Sequence, residues 1–240
     1  MLSMLLTSAL AMSASAGNGP SAAPDGSSTL STSQRALIPI AALAAEGDIE
    51  RLGEALEQGL DDGMTVSDAR EVLVQTYAYA GFPRSLNALG ELMRVRDARV
   101  ARGLHDDPGR EPSRPVPTGD ALLQAGTDNQ TRLTGAPVQG PLFEFAPAID
   151  RYLKSHLFGA IFERDNLDWQ TRELATVSML AAVEGTDAQL KSHVGFSLNV
   201  GVSPQQLHAL IAVLETRYDP AAALRVRTAL ESTTASAQAR

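Results

Sequence analysis

The sequence predicts an all-α protein made of two copies of one helical-bundle unit. Apolar residues recur at helical spacing along most of the chain, capping residues stand just before those stretches, and two halves overlay at a nearly constant offset. Arg35-Ala36-Leu37 aligns with Arg172-Glu173-Leu174 at 137 residues, and Gly63-Met64-Thr65 with Gly201-Val202-Ser203 at 138. One residue was gained or lost at the intervening turn.

Taken in order, Met1 to Ala16 has a short apolar centre and ends in Ala14-Ser15-Ala16, which reads as a signal peptide for periplasmic or secreted localisation. No Lys or Arg precedes the apolar centre, and a cytoplasmic protein with a disordered tail is the alternative. Residues 17–33, rich in Gly, Pro, Ser and Ala, read as a flexible linker.

Residues 34–98 form the first repeat. Leu37, Ile40, Ala41 and Ala44 mark one helix, and Leu52, Leu56 and Leu60 a second that Asp48 caps. Thr65 starts a third helix, which runs through Val72, Thr76 and Tyr79 to Gly81, and Pro83 suits the first turn of a fourth, Arg84 to Ala98.

Residues 99–137 read as a Pro-rich linker, turn-rich or extended, with Arg102, Arg110 and Arg114 among acidic residues on a solvated face. Residues 138–231 form the second repeat. A helix with aromatic content is expected over Leu142 to Phe162, and Asp168 caps the next one. Ser203-Pro204-Gln205-Gln206 opens another, with Leu207, Leu210, Ile211 and Leu214 on its buried face, and a final helix follows over Ala221 to Leu230. Residues 232–240 read as a frayed tail.

The chemistry gathers between Arg172 and Pro204. Leu174, Val177 and Ala181 give one helix an apolar stripe, and Leu190, Val194 and Leu198 do the same for the next. Glu184-Gly185-Thr186 breaks them apart, and Thr186-x-x-Gln189 has the spacing of a capping box. The short connection makes the helices antiparallel neighbours. Counting from the turn at about 1.5 Å per residue sets Glu173 and His193 at nearly the same height on facing helices. A lone histidine beside an apolar stripe is ordinarily a satisfied core residue. A carboxylate opposite it marks an acid/base pair.

The overlay assigns this pair to one repeat only, since Glu173 corresponds to Ala36 and His193 to Ala55. The first repeat instead offers Tyr77, Tyr79 and Phe82 as aromatic walls. His156, on the aromatic-rich helix, is a further wall or core residue.

Composition excludes several function classes. A net charge of −8 argues against a nucleic-acid partner, and no apolar run approaches the ~20 residues of a membrane span. The chain has 0 cysteines, which removes disulfides, thiol peroxidase chemistry and cysteine nucleophiles. His105, His156, His193 and His208 show no metal-ligand spacing, so no metal is expected.

The motifs Phe158-Gly-Ala-Ile-Phe-x-Arg164, Leu167-Asp-x-x-Thr-Arg-Glu-Leu174, Leu190-x-x-His193, Asn199-x-Gly-Val-Ser203 and Tyr79-Ala-Gly-Phe-Pro-Arg-x-Leu-Asn-Ala88 resemble those of the carboxymuconolactone decarboxylase family, in the alkylhydroperoxidase D-like superfamily. The resemblance implies that superfamily's helical fold, a homotrimer or other homo-oligomer, and cofactor-free decarboxylation of a lactone acid. The peroxidase branch has cysteines seven and four residues before its histidine. Thr186 and Gln189 stand there in this chain.

Under that resemblance His193 transfers a proton to carbon and Glu173 orients it. Arg172 or Arg84 binds the carboxylate of a small-molecule carboxylate or lactone, and a structural salt bridge is the alternative for Arg172. Isomerisation or hydrolysis of a related acid stays open, as does a non-catalytic oligomeric binding or scaffold protein of the same fold.

Overall fold

The computed structural model describes residues 29–238, and among them every regular element is a helix. The signal peptide read over 1–16 lies outside the described residues, as does the linker up to residue 28.

Helix caps set the register of the two repeats. Ser31 opens α1 (Thr32–Glu46) with a reciprocal box to Gln34, and Asp168, 137 residues on, opens α9 (Trp169–Ala182) by accepting from the Thr171 amide at 2.7 Å. Asp48 caps α2 (Ile49–Asp61), and Thr186, 138 residues on, precedes α10 (Asp187–Asn199). Thr65 caps α3 (Val66–Gln75), and Ser203, again 138 on, caps α11 (Pro204–Arg217) with a full box to Gln206. The single-turn α4 (Tyr77–Ala80) leads into α5 (Phe82–Ala101), whose counterpart α12 (Pro220–Gln238) starts 138 residues later.

One expected cap does not form. Thr186 makes no side-chain bond to the start of α10; its hydroxyl donates to the Leu180 and Val183 carbonyls at 2.9 and 2.8 Å. The end of α9 left acceptors without helical partners, and the threonine serves those instead.

α1 and α9 lie against each other at the centre. Gln34 Nε2 donates to Thr171 Oγ1 at 3.2 Å, and these residues are related by the 137-residue offset, so a pseudo-two-fold axis passes between the helices. Residues 36–45 of α1 are all buried, which makes it an interior helix surrounded by both repeats. Leu37 and Leu43 join Leu174, Val177, Leu207 and Leu214 in one continuous apolar core.

The segment between the repeats departs from expectation. Its first part straps across the start of α3, where the Val66 and Ser67 amides donate to the Asp107 and Pro108 carbonyls. Buried Arg99 anchors it through Asp106, Glu57 and Asp61 at 2.7–2.9 Å. Gly119–Thr134, expected to be extended, is helix α6. Its sequence is polar on most faces, and only Gly126, Gln130 and Leu133, at i, i+4 and i+7, are buried. They pack on a neighbouring helix, a tertiary contact that composition does not announce.

The single helix expected over 142–162 is three pieces: α7 (Pro141–Phe145), α8 (Pro147–Tyr152) and a π-helical stretch, Leu153–Ile161. Pro147 cannot supply the amide that would continue α7. The tail expected after Glu231 continues α12 to Gln238. No helix of the described residues is long and apolar enough to cross a membrane.

Candidate functional site

α9 and α10 carry Glu173 and His193 to facing positions, as their spacing requires. His193 Nδ1 lies 2.9 Å from Glu173 Oε2. The carboxylate is fully buried, and 8% of the imidazole side chain stays exposed. With Nδ1 held against a carboxylate, Nε2 is the nitrogen left for chemistry; among the described residues no side chain or backbone group hydrogen-bonds to it.

The walls come from both repeats. Tyr79 meets the imidazole edge-on at 5.4 Å, from α4 of the first repeat. Phe196 does so at 4.9 Å, one turn along α10. Beyond them lies a second apolar cluster of Leu133, Leu157, Phe158, Ile161 and Phe162, on which Tyr77, Tyr79, Trp169 and Phe196 pack. Arg132 covers the Trp169 ring at 4.5 Å.

Two polar atoms here are buried without a hydrogen-bond partner: Tyr79 Oη and Glu173 Oε1. Thr176 stands beside the phenol outside hydrogen-bonding geometry, its oxygen accepting from Gln75 at 2.8 Å. Burial, followed by the Glu173 charge, pushes the Tyr79 hydroxyl well above its ordinary pKa. It is a neutral donor across the physiological range.

Arg172 forms the structural salt bridge that is its alternative reading, although its Nε is buried without a partner. Its guanidinium is completely buried and is used within the fold, donating to Glu71 Oε2 at 3.1 Å, the Arg164 carbonyl at 2.8 Å and Gln75 Oε1 at 3.2 Å. Glu71, from the first repeat, also accepts from Arg164 Nε at 2.9 Å. Burial alone would raise the Glu71 pKa, but the hydrogen bonds from Arg164, the nearby Asn166 amide and the Arg172 charge hold it down at about 2. Gln75 completes the clamp by donating to the Arg172 carbonyl at 3.0 Å.

Of the other expected residues, Tyr77 reaches the second apolar cluster beside the pair, and Arg84, Phe82 and His156 have their contacts elsewhere. Arg84 donates to the Ala45 carbonyl at the end of α1. Tyr77 stacks on Phe82 at 4.6 Å, and Phe82 itself is largely exposed. His156 is exposed and packs against Tyr152. Glu71, Gln75 and Phe196 were missed. Glu71 had a signal, a lone charge on the apolar face of α3 whose counterpart in the second repeat is Ala209.

Four surface clefts, of about 500, 660, 390 and 310 Å³, are present, and Glu173 and His193 line none of these four. Among the described residues no group of three or more His, Asp or Glu side chains could hold a metal ion.

Fold and site together define a tandem-repeat, all-helical protein with one buried carboxylate–imidazole pair and no thiol. The family model described as the carboxymuconolactone decarboxylase family matches residues 21–92 and 147–232, which fall on the two sets of helices. The chain belongs to that family. No curated protein matches it.

Proposed function

We propose that the protein carries out acid/base chemistry on a small lactone or keto acid, of which decarboxylation is the form the family membership favours. The observation that supports it is the set of free groups around one imidazole: Nε2 of His193, and the buried, unpartnered Tyr79 Oη and Glu173 Oε1. Leaving a buried polar atom without a partner costs about 1–3 kcal/mol, and such atoms concentrate where a ligand or reacting group completes them.

In this reading the substrate's carbon–carboxylate bond breaks and CO2 leaves. The electron pair moves into the conjugated carbonyl, giving an enolate whose oxygen accepts from Tyr79. His193, as the general acid, gives a proton from Nε2 to the substrate carbon. Glu173 fixes the ring through Nδ1 and balances the imidazolium charge before the transfer; solvent then returns a proton to Nε2. Residues of this chain supply every step. With Arg172 committed to Glu71, the substrate carboxylate meets aromatic walls instead of a cation, a setting that favours loss of CO2 over retention of the charged group.

The test is CO2 release and deuterium incorporation at carbon when the protein is incubated with γ-lactone acids in D2O. Absence of turnover with wild-type protein, or turnover unchanged by His193→Ala, removes the proposal. A second reading, a binding or scaffold protein that has lost turnover, is favoured by one observation: the Glu173 side chain is fully buried and that of His193 only 8% exposed, so little of the pair meets a ligand from outside. Saturable lactone-acid binding with neither CO2 release nor exchange would select it. A homo-oligomer is part of either reading, and light scattering tests it.

A further inference from the structure

The pseudo-two-fold axis gives the Glu173–His193 region a counterpart in the first repeat, and that counterpart is an open cleft. The offset carries His193 to Ala55, Phe196 to Gln58 and Tyr79 to Arg217. On the central helices it carries Thr176 to Pro39 and Leu180 to Leu43. All five of these counterparts line one cleft of about 310 Å³. Ala55 lines the cleft where the second repeat has its imidazole, and Ala36 is buried outside the lining.

The charge of the region also changes. By the offset the carboxylate and the imidazole give way to Ala36 and Ala55 and the phenol to Arg217, while Arg51, which corresponds to Gln189, adds a second guanidinium and Glu54 is the one acidic side chain on the lining. Arg51 is held in place: Nη2 donates to the Tyr218 carbonyl at 2.8 Å, Nη1 lies 3.7 Å from Asp48, and the group sits 5.6 Å from the Tyr218 ring centre. Arg217 is exposed and, among the described residues, its side chain has neither ion pair nor hydrogen bond. Gln58 is turned to Asp62 at 3.0 Å. Beneath the charges lie buried Pro39 and Leu43 and half-buried Ala55.

A free guanidinium with a second one fixed beside it, over a small apolar floor inside a mainly polar rim, suits an anion that carries a small apolar body. We infer that this cleft binds a small monocarboxylate with a compact apolar body, the carboxylate on Arg217 and Arg51 and the body on Pro39, Leu43 and Ala55. Glu54 opposes a second negative charge on the ligand, so dianions are disfavoured. This inference does not depend on the chemistry assigned to His193.

The test is isothermal titration of the full chain with benzoate, and with inorganic phosphate as the comparator. Benzoate binds saturably. Arg217→Ala and Ala55→Leu each weaken it about tenfold or more, the loss of one charge-assisted contact or of the floor's space. Glu54→Gln strengthens it about threefold by removing a like charge, a gain that general damage to the fold would not produce. His193→Ala leaves it unchanged. The inference is overturned by absence of saturable benzoate binding, by binding that survives Arg217→Ala, or by binding that disappears in His193→Ala, which would put the ligand in the second repeat. Phosphate binding as tightly as benzoate overturns the apolar-body requirement. Melting curves control for folding; if Ala55→Leu melts early, Arg217→Ala and Glu54→Gln, both at exposed positions, decide the matter.

Discussion

At the scale of single residues, the imidazole and the buried arginine lead to opposite expectations. His193→Ala and Glu173→Gln should each lower kcat/KM by about a hundredfold or more, the ordinary size of a lost proton-transfer group. Tyr79→Phe should cost about tenfold in CO2 release while leaving the melting temperature level or slightly raised, because it deletes a buried hydroxyl that has no partner. Glu71→Gln should leave Arg172 as a buried charge without its counter-ion and destabilise the fold by about 3–5 kcal/mol in urea unfolding. The same ion cluster sets an acid limit. Glu71 is held at about 2 in the fold, against an ordinary 4.5. A lowered carboxylate pKa stabilises the fold above the unfolded value, and that stability is lost as pH falls from 4.5 towards 2. Stability measured against pH should therefore decline through that window, and the decline should be shallower in Glu71→Gln. The sequence placed Glu173 and His193 correctly because helix period and turn length fix their height. For Arg172 it left a salt bridge and a ligand-binding role both open, because the partner that makes the salt bridge, Glu71, lies 101 residues away in the chain.

Among the elements, α6 and the π-helical stretch show where sequence legibility ended and why. The α2, α3, α9 and α11 starts were readable from Asp, Thr and Ser caps with local partners; that of α1 was not, because its Ser31 cap and first helical residues fall at the end of the Gly, Pro, Ser and Ala-rich stretch read as linker. α6 was not, because its buried face is Gly126, Gln130 and Leu133, and its strongest tie is a backbone approach. A Cβ at Gly126 would lie 1.7 Å from the Lys154 carbonyl oxygen, so only glycine lets the two helices meet. Gly126→Ala should push α6 away from the Leu153–Ile161 stretch and loosen the cluster that holds Phe162 and Trp169. The chain has 1 tryptophan, Trp169, which packs on that cluster under Arg132. Its fluorescence should shift red in Gly126→Ala, with a loss of about 2–3 kcal/mol in unfolding free energy. An unchanged spectrum and midpoint would show that the backbone relaxes at no cost.

Over the whole molecule, the two repeats share one core and one axis but differ in chemistry. Because Leu37 of the first and Leu174 of the second belong to one apolar cluster, circular dichroism, which reports both repeats, and Trp169 fluorescence, which reports one, should unfold at coincident denaturant concentrations. The deeper test rebuilds the missing pair. Ala36 and Ala55 stand where the offset puts a carboxylate and an imidazole, and Ala36 is 1% exposed. Ala36→Glu alone should destabilise the fold by about 3 kcal/mol or more, because its charge is buried without a partner. Ala55→His alone, at the half-buried lining of the cleft, should cost about 1 kcal/mol. If the pseudo-symmetry extends to side-chain geometry, the double variant recovers about 1–2 kcal/mol relative to the sum of the two, as a hydrogen-bonded pair across α1 and α2. A coupling energy of zero would mean that the axis relates the helices but not the positions of their side chains. A favourable coupling would also fill the 310 Å³ cleft with polar groups and abolish benzoate binding, so the same variant would exchange the ligand site of the first repeat for a copy of the pair in the second.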